Sequence, residues 1–150
     1  MGARSEGRQA ALQILYALDA NEREGDEETV VQQAIDDFWL QTPGEIEGRK
    51  FADELVRAVM THRPRIDAQI GQASKTWRLE RMARVDRNVL RLGTWELLLK
   101  DVPRAVVIDE SIELGKRFGG EGSGVFVNGV LERIAQDVEE GKLASESIGS

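Results

Sequence analysis

Cysteine is absent from this 150-residue chain, histidine occurs once and proline three times. Without thiols there is no disulfide, no thiolate metal site and no cysteine nucleophile. The lack of cysteine also fits a reducing compartment. The single histidine, His62, has no cysteine to share a metal with and no nucleophilic serine motif around it, and reads as a last-turn residue of a helix. Long apolar runs are missing as well. The stretch 10–18 is interrupted by Gln13 and ends at Asp19, with no small-residue cleavage pattern after it. Nothing approaches the roughly 18 apolar residues of a membrane span. A cytoplasmic protein without membrane contact is expected. The adjacent carboxylates Asp36-Asp37, Asp109-Glu110 and Glu139-Glu140 diverge around a helix instead of converging on one reacting atom. No catalytic residue, metal site or cofactor is expected, and the chain reads as a non-enzyme.

Apolar residues make up 41% of the chain and charged residues 31%, which suits one compact domain with a well-solvated, helix-rich surface. The net charge of −7 counts against nucleic-acid binding through the whole surface. The charge is unevenly spread, however. Asp19 to Glu47 carries ten acidic residues and only Arg23 as a base, whereas Lys75 to Arg91 carries six bases and two acids. Basic surface can therefore persist locally.

Apolar periodicity predicts about seven helices and no strand. The first runs from about Ser5, a candidate N-cap, to Asn21, with Leu12, Leu15 and Tyr16 on one face. The second starts near Thr29 and stops before Thr42-Pro43-Gly44, and the third spans about Glu45 to His62. Pro64 suits the first turn of a fourth helix, and 75–82 reads as a basic connection. The fifth helix, about Ala83 to Lys100, is apolar around most of its circumference and should be central. Pro103 opens the sixth, which Gly119-Gly120 ends. Ser123 is the candidate N-cap of the seventh, with Val127, Val130, Leu131, Ile134 and Val138 as its stripe.

The glycine-rich stretch 119–124 resembles a phosphate loop, but it lacks the following lysine and a helix precedes it where a strand should be. It reads as a connector whose following helix start offers N–H groups to a phosphate, with Lys116 and Arg117 close in sequence. Arg4 and Arg8 are four apart, so both leave one side of a helix start, where cations are mildly unfavourable. Such a pair suits phosphates, and surface solubility explains it equally well. Phe126, in the first turn of the seventh helix, suits stacking on an unpaired base or packing on the sixth helix.

Four co-linear segments together resemble the NusB family. They are Arg8-Gln9-Ala10-Ala11-Leu12-Gln13-Ile14-Leu15-Tyr16-Ala17, Val85-Asp86-Arg87-Asn88-Val89-Leu90-Arg91-Leu92-Gly93-Thr94-Trp95-Glu96-Leu97, the stretch from Pro103 to Gly119, and Phe126-Val127-Asn128-Gly129-Val130-Leu131. The resemblance implies an all-α fold of two packed helical bundles, with a helical RNA-binding domain over 1–141, and the small, polar composition after Gly141 predicts a flexible tail over 142–150. It implies no catalysis. It implies a transcription antitermination factor that binds the boxA element of ribosomal RNA leader transcripts, as single-stranded RNA, together with NusE, a small ribosomal subunit protein. The pair would join an RNA polymerase antitermination complex. By position, the implied RNA-binding residues are Arg4, Arg8, Lys116, Arg117, Ser123 and Phe126. Asp86, Arg91 and Gly122 are the implied protein-partner residues. Two departures stand out: the arm is poor in arginine, with Ser5 and Glu6 where several relatives are more basic, and Gly122 replaces an acidic residue of some relatives. Some relatives also pair through the RNA-binding surface, which implies homodimerisation as a further state. The competing expectation is a helical protein-interaction adaptor with weak or lost RNA binding, recognising partners through Asp19 to Glu47. Similar domains occur fused to RNA cytosine methyltransferases, but this chain has neither the catalytic cysteines nor room for the nucleotide-binding part.

Overall fold

The computed structural model describes residues 2–43 and 46–144. Among them are seven α-helices, one short 3-10 turn and no strand. The helices group into two compact units, Met1–Thr61 and His62–Ser150.

The first unit holds α1 (Ala3–Ala20), α2 (Glu27–Gln41) and α3 (Arg49–Thr61), each packed on the other two. Helix α1 begins two residues before Ser5, so Ser5 lies inside it, and Gly2 caps it without a side-chain bond. Helix α2 begins two residues before Thr29 because Asp26 supplies the cap: its Oδ1 accepts from the Thr29 N–H at 2.8 Å. Glu27 and Glu28 then sit where the helix dipole favours negative charge. The start expected for the third helix, near Glu45, lies outside the described residues, and the described helix begins at Arg49. Ile14, Leu15, Ile35, Val56 and Val59 form the centre of the core. Tyr16, expected inward, is exposed.

The second unit holds α4 (Arg63–Ala73), the 3-10 turn Leu79–Arg81, α5 (Arg84–Leu99), α6 (Arg104–Phe118) and α7 (Ser123–Glu139). Helix α5 packs against α4, α6 and α7. Every residue from 88 to 94 is buried, as its broad apolar surface predicts. Each fully buried leucine, such as Leu90 or Leu92, contributes about 1.5–3 kcal/mol. Lys100 ends α5 in the left-handed region at φ 60°. His62 is the residue preceding α4 and not the last turn of α3, and its ring stacks on Trp95 of α5 with centroids 4.6 Å apart.

The chain beyond α7 folds back on α4. The buried Gln69 donates from Nε2 to the Lys142 carbonyl at 3.1 Å, and its Oε1 accepts from the Ala144 N–H at 2.9 Å. Gln72 donates to the same Lys142 carbonyl at 2.8 Å. Residues 142–144, which composition assigns to a flexible tail, are thus held by side-chain amides. The rest of that tail, 145–150, lies outside the described residues. No helix among the described residues is long and apolar enough to cross a membrane.

Candidate nucleic-acid interface

The sequence-predicted RNA-binding residues fall into one cluster in each unit. In the first unit, Arg4 and Arg8 both lie over the Phe51 ring of α3, their guanidinium carbons 5.2 and 5.4 Å from its centroid. The two are not equivalent. Arg4 is exposed, whereas Arg8 is only 4% exposed. Burial removes Arg8 from the set of freely presented cations, so its expected role as a direct phosphate ligand does not fit this arrangement.

Close backbone approach brings α1 and α3 together here. A Cβ built on Gly48 would lie 2.1 Å from the Ala3 carbonyl oxygen and 2.6 Å from the Gly7 nitrogen. Only glycine fits, because the obstructing atoms are backbone and cannot swing away.

In the second unit, the turn between α6 and α7 borders an open recess of about 360 Å³, lined by Lys116, loop residues 119–122, and Gly124 and Val125 at the start of α7. Lys116 and Arg117 are exposed at the end of α6, where the dipole favours cations. Lys116 has a long, solvent-exposed ion pair with Glu113 at 3.9 Å, which is easily exchanged for another anion. Arg117 lies over Phe118 at 5.5 Å.

Helix α7 starts without a side-chain cap. The Ser123 N–H bonds the Gly120 carbonyl and the Phe126 N–H bonds the Gly122 carbonyl. The N–H groups of Gly124 and Val125, between them, have no carbonyl acceptor in the preceding loop. They are the unpaired donors of a helix N-terminus, which attract anions.

One sequence-predicted role needs correction in this cluster, and two others gain detail. Ser123 is not the N-cap. That position belongs to Gly122, and Ser123 is a buried first-turn residue packed under Gly119. Its hydroxyl is therefore not presented to a ligand. Gly122 sits at φ 86°, and a Cβ there would meet nothing within 4 Å. Backbone conformation, not contact, accounts for glycine at this exposed position, and an Asp there would be only modestly strained. Phe126 is half-buried, while its neighbour Val125 is 79% exposed and borders the recess. The outermost apolar side chain of this turn is the valine, which periodicity does not single out.

Arg91, expected to face a protein partner, is 7% exposed. Its Nε and Nη2 donate to the two carboxylate oxygens of Asp67 at 2.9 and 3.1 Å, and Nη1 donates to Asn88 Oδ1 at 3.2 Å. It clamps α4 to α5 from inside, which corrects the partner-facing expectation. Asp86 is half-buried, and its Oδ1 is shielded from water without a hydrogen-bond donor. Sequence reasoning also passed over Trp77. It is 52% exposed in the basic connection between Lys75 and Arg81, and its carbonyl accepts from Ser74 Oγ at 3.0 Å. An aromatic among cations was the available signal.

One family model, that of the NusB family, matches residues 5–136. The chain belongs to the NusB family. The transcription antitermination protein NusB of Sorangium cellulosum (strain So ce56) is 54% identical over 139 residues, covering 92% of this chain and 95% of that protein. The fold is similar to T. maritima NusB, with a TM-score of 0.74 and 35% identity over 93% of this chain and 97% of that one. It is also similar to a structure of the antitermination factors NusB and NusE in complex with dsRNA. There the TM-score is 0.72 and the identity 28%, over 89% of this chain and 96% of the matched chain.

Proposed function

We propose that this protein is a non-catalytic transcription antitermination factor that binds boxA-type RNA jointly with NusE, in the cytoplasm, and joins an RNA polymerase antitermination complex. The observation that carries the reading is the α6–α7 turn. It sets Lys116 against Gly124, beside the unpaired N–H groups of Gly124 and Val125, with the exposed Arg117 next to it in the last turn of α6. Arg4 supplies a further exposed cation. Phosphates would go to these donors, and Phe126 with Val125 would meet a base. A stacked base is worth roughly 1–3 kcal/mol by alanine substitution. Asp86 is the remaining candidate for NusE, since a donor from the partner would satisfy its shielded oxygen. A NusB relative has been solved with NusE and double-stranded RNA, so strand state is part of the test.

With Arg4, Lys116 and Arg117 as the exposed cations of the candidate RNA-binding set, on a chain of net charge −7, RNA affinity without the partner should be low. The test uses labelled boxA-type RNA, single- and double-stranded, with the NusE-bound protein. Lys116→Ala and Phe126→Ala should each weaken binding of the single strand. If neither changes the affinity of the ternary complex, the surface is wrong. NusE binding that ignores RNA altogether would favour the protein-interaction adaptor.

A further inference from the structure

Phe51 is a half-buried aromatic on α3 with two cations over one ring, and the RNA reading leaves it without a part. Resting on the reading of Arg4 as a phosphate ligand, we propose that Phe51 is a positioning residue that holds the α1 arginine arm ready for RNA.

Two arginines one turn apart at a helix N-terminus repel each other and oppose the helix dipole. Left to themselves they would spread into solvent. The negative face of an aromatic ring offsets that repulsion for guanidinium carbons within about 6 Å. Phe51 meets this condition twice, at 5.2 and 5.4 Å. The two arginines then divide the work. Arg8, buried, completes the stack, and Arg4, exposed, is left as the cation that a ligand reaches.

The ring is itself fixed to the arm's backbone. A Cβ on Gly7 would lie 2.8 Å from Phe51 Cδ2, so the ring edge presses on the bare α-carbon between the two arginines. The Gly48 contact with Ala3 and Gly7 secures the same stretch, on the side where the ring lies. An arm with only one exposed arginine gains more from holding it in place than a densely basic arm would, because no neighbour can substitute when that side chain swings away.

The test is a double-mutant cycle on the full chain in complex with NusE, read by fluorescence anisotropy of a labelled single-stranded boxA-type RNA. The variants are Arg4→Ala, Phe51→Leu and both together, with Phe51→Tyr as the rescue. Loss of an exposed cation–π contact corresponds to about a 2- to 5-fold change in affinity. Phe51→Leu should weaken RNA binding by that factor, Phe51→Tyr should restore it, and Phe51→Leu should cost nothing further once Arg4 is alanine. NusE affinity, measured without RNA, should be the same for all variants. An RNA affinity unchanged by Phe51→Leu overturns the proposal. So does a loss of equal size in both backgrounds, which is the mark of a packing defect. If Arg4→Ala by itself leaves RNA binding unchanged, the arm's role as a phosphate ligand fails, and the positioning role with it.

Discussion

Replacing Asp67 by alanine should destabilise the second unit severely, because it strands Arg91 inside the protein. Arg91 spends two donors on Asp67 in a paired fork at 2.9 and 3.1 Å and one on Asn88, whose own Nδ2 donates to the Arg84 carbonyl at 2.9 Å. Side-chain exposure is 8% for Arg91 and 25% for Asp67. Breaking a buried pair by removing one partner costs about 3–5 kcal/mol, and partial exposure of the carboxylate puts this case near the lower end. In a chain of this size, about 3 kcal/mol lowers Tm by roughly 6–12 °C. Urea unfolding followed by circular dichroism measures the loss, and the double variant Asp67→Ala/Arg91→Met should recover much of it, since no charge is then left unpaired. If Asp67→Ala unfolds at the wild-type denaturant midpoint, the clamp is not a stabilising element. If Arg91→Met is equally stable and selectively loses NusE, Arg91 is a partner residue after all.

Three other perturbations test separate parts of the fold. The Asp26 carboxyl lies below the ordinary value of 3.8, held there first by the Thr29 backbone N–H and then by the Thr29 hydroxyl. Its contribution to stability is therefore complete above that value and lost as pH falls through the lower folded one. Asp26→Asn should keep the cap while removing this acid sensitivity, as thermal melts between pH 2 and 6 would show. Gly48→Ala places a methyl 2.1 Å from the Ala3 carbonyl oxygen and should cost about 3 kcal/mol or more by chemical denaturation. Gln69→Leu leaves the Ala144 N–H without its side-chain partner and the Lys142 carbonyl with Gln72 alone. It should cost about 1–3 kcal/mol and speed hydrogen exchange at Ala144.

The helices were legible because their punctuation is local. Pro64 and Pro103 stand at helix starts, Gly119-Gly120 follows a basic last turn, and the α7 stripe keeps its period to Val138. Helix starts were less so. Serines at 5 and 123 looked like caps, but Gly2 and Gly122 take those positions, and a glycine cap leaves no side-chain signature. The candidate site was legible at Lys116, Arg117 and Arg4, whose charges remain at the surface. It was misread at Arg8 and Arg91. Their partners, Phe51 and Asp67, are distant in sequence, and no local pattern distinguishes a clamped arginine from a solvated one. Val125 is the more exposed of the pair with Phe126, a difference that apolar periodicity along α7 does not reveal.

A boxA-type RNA titration with the protein alone, with NusE alone and with both tests the joint-binding reading most directly. Weak binding by either protein and much tighter binding by the pair, falling steeply with added salt, is the expected result. An RNA affinity of the pair equal to that of NusE alone, with the two proteins demonstrably associated, would contradict it.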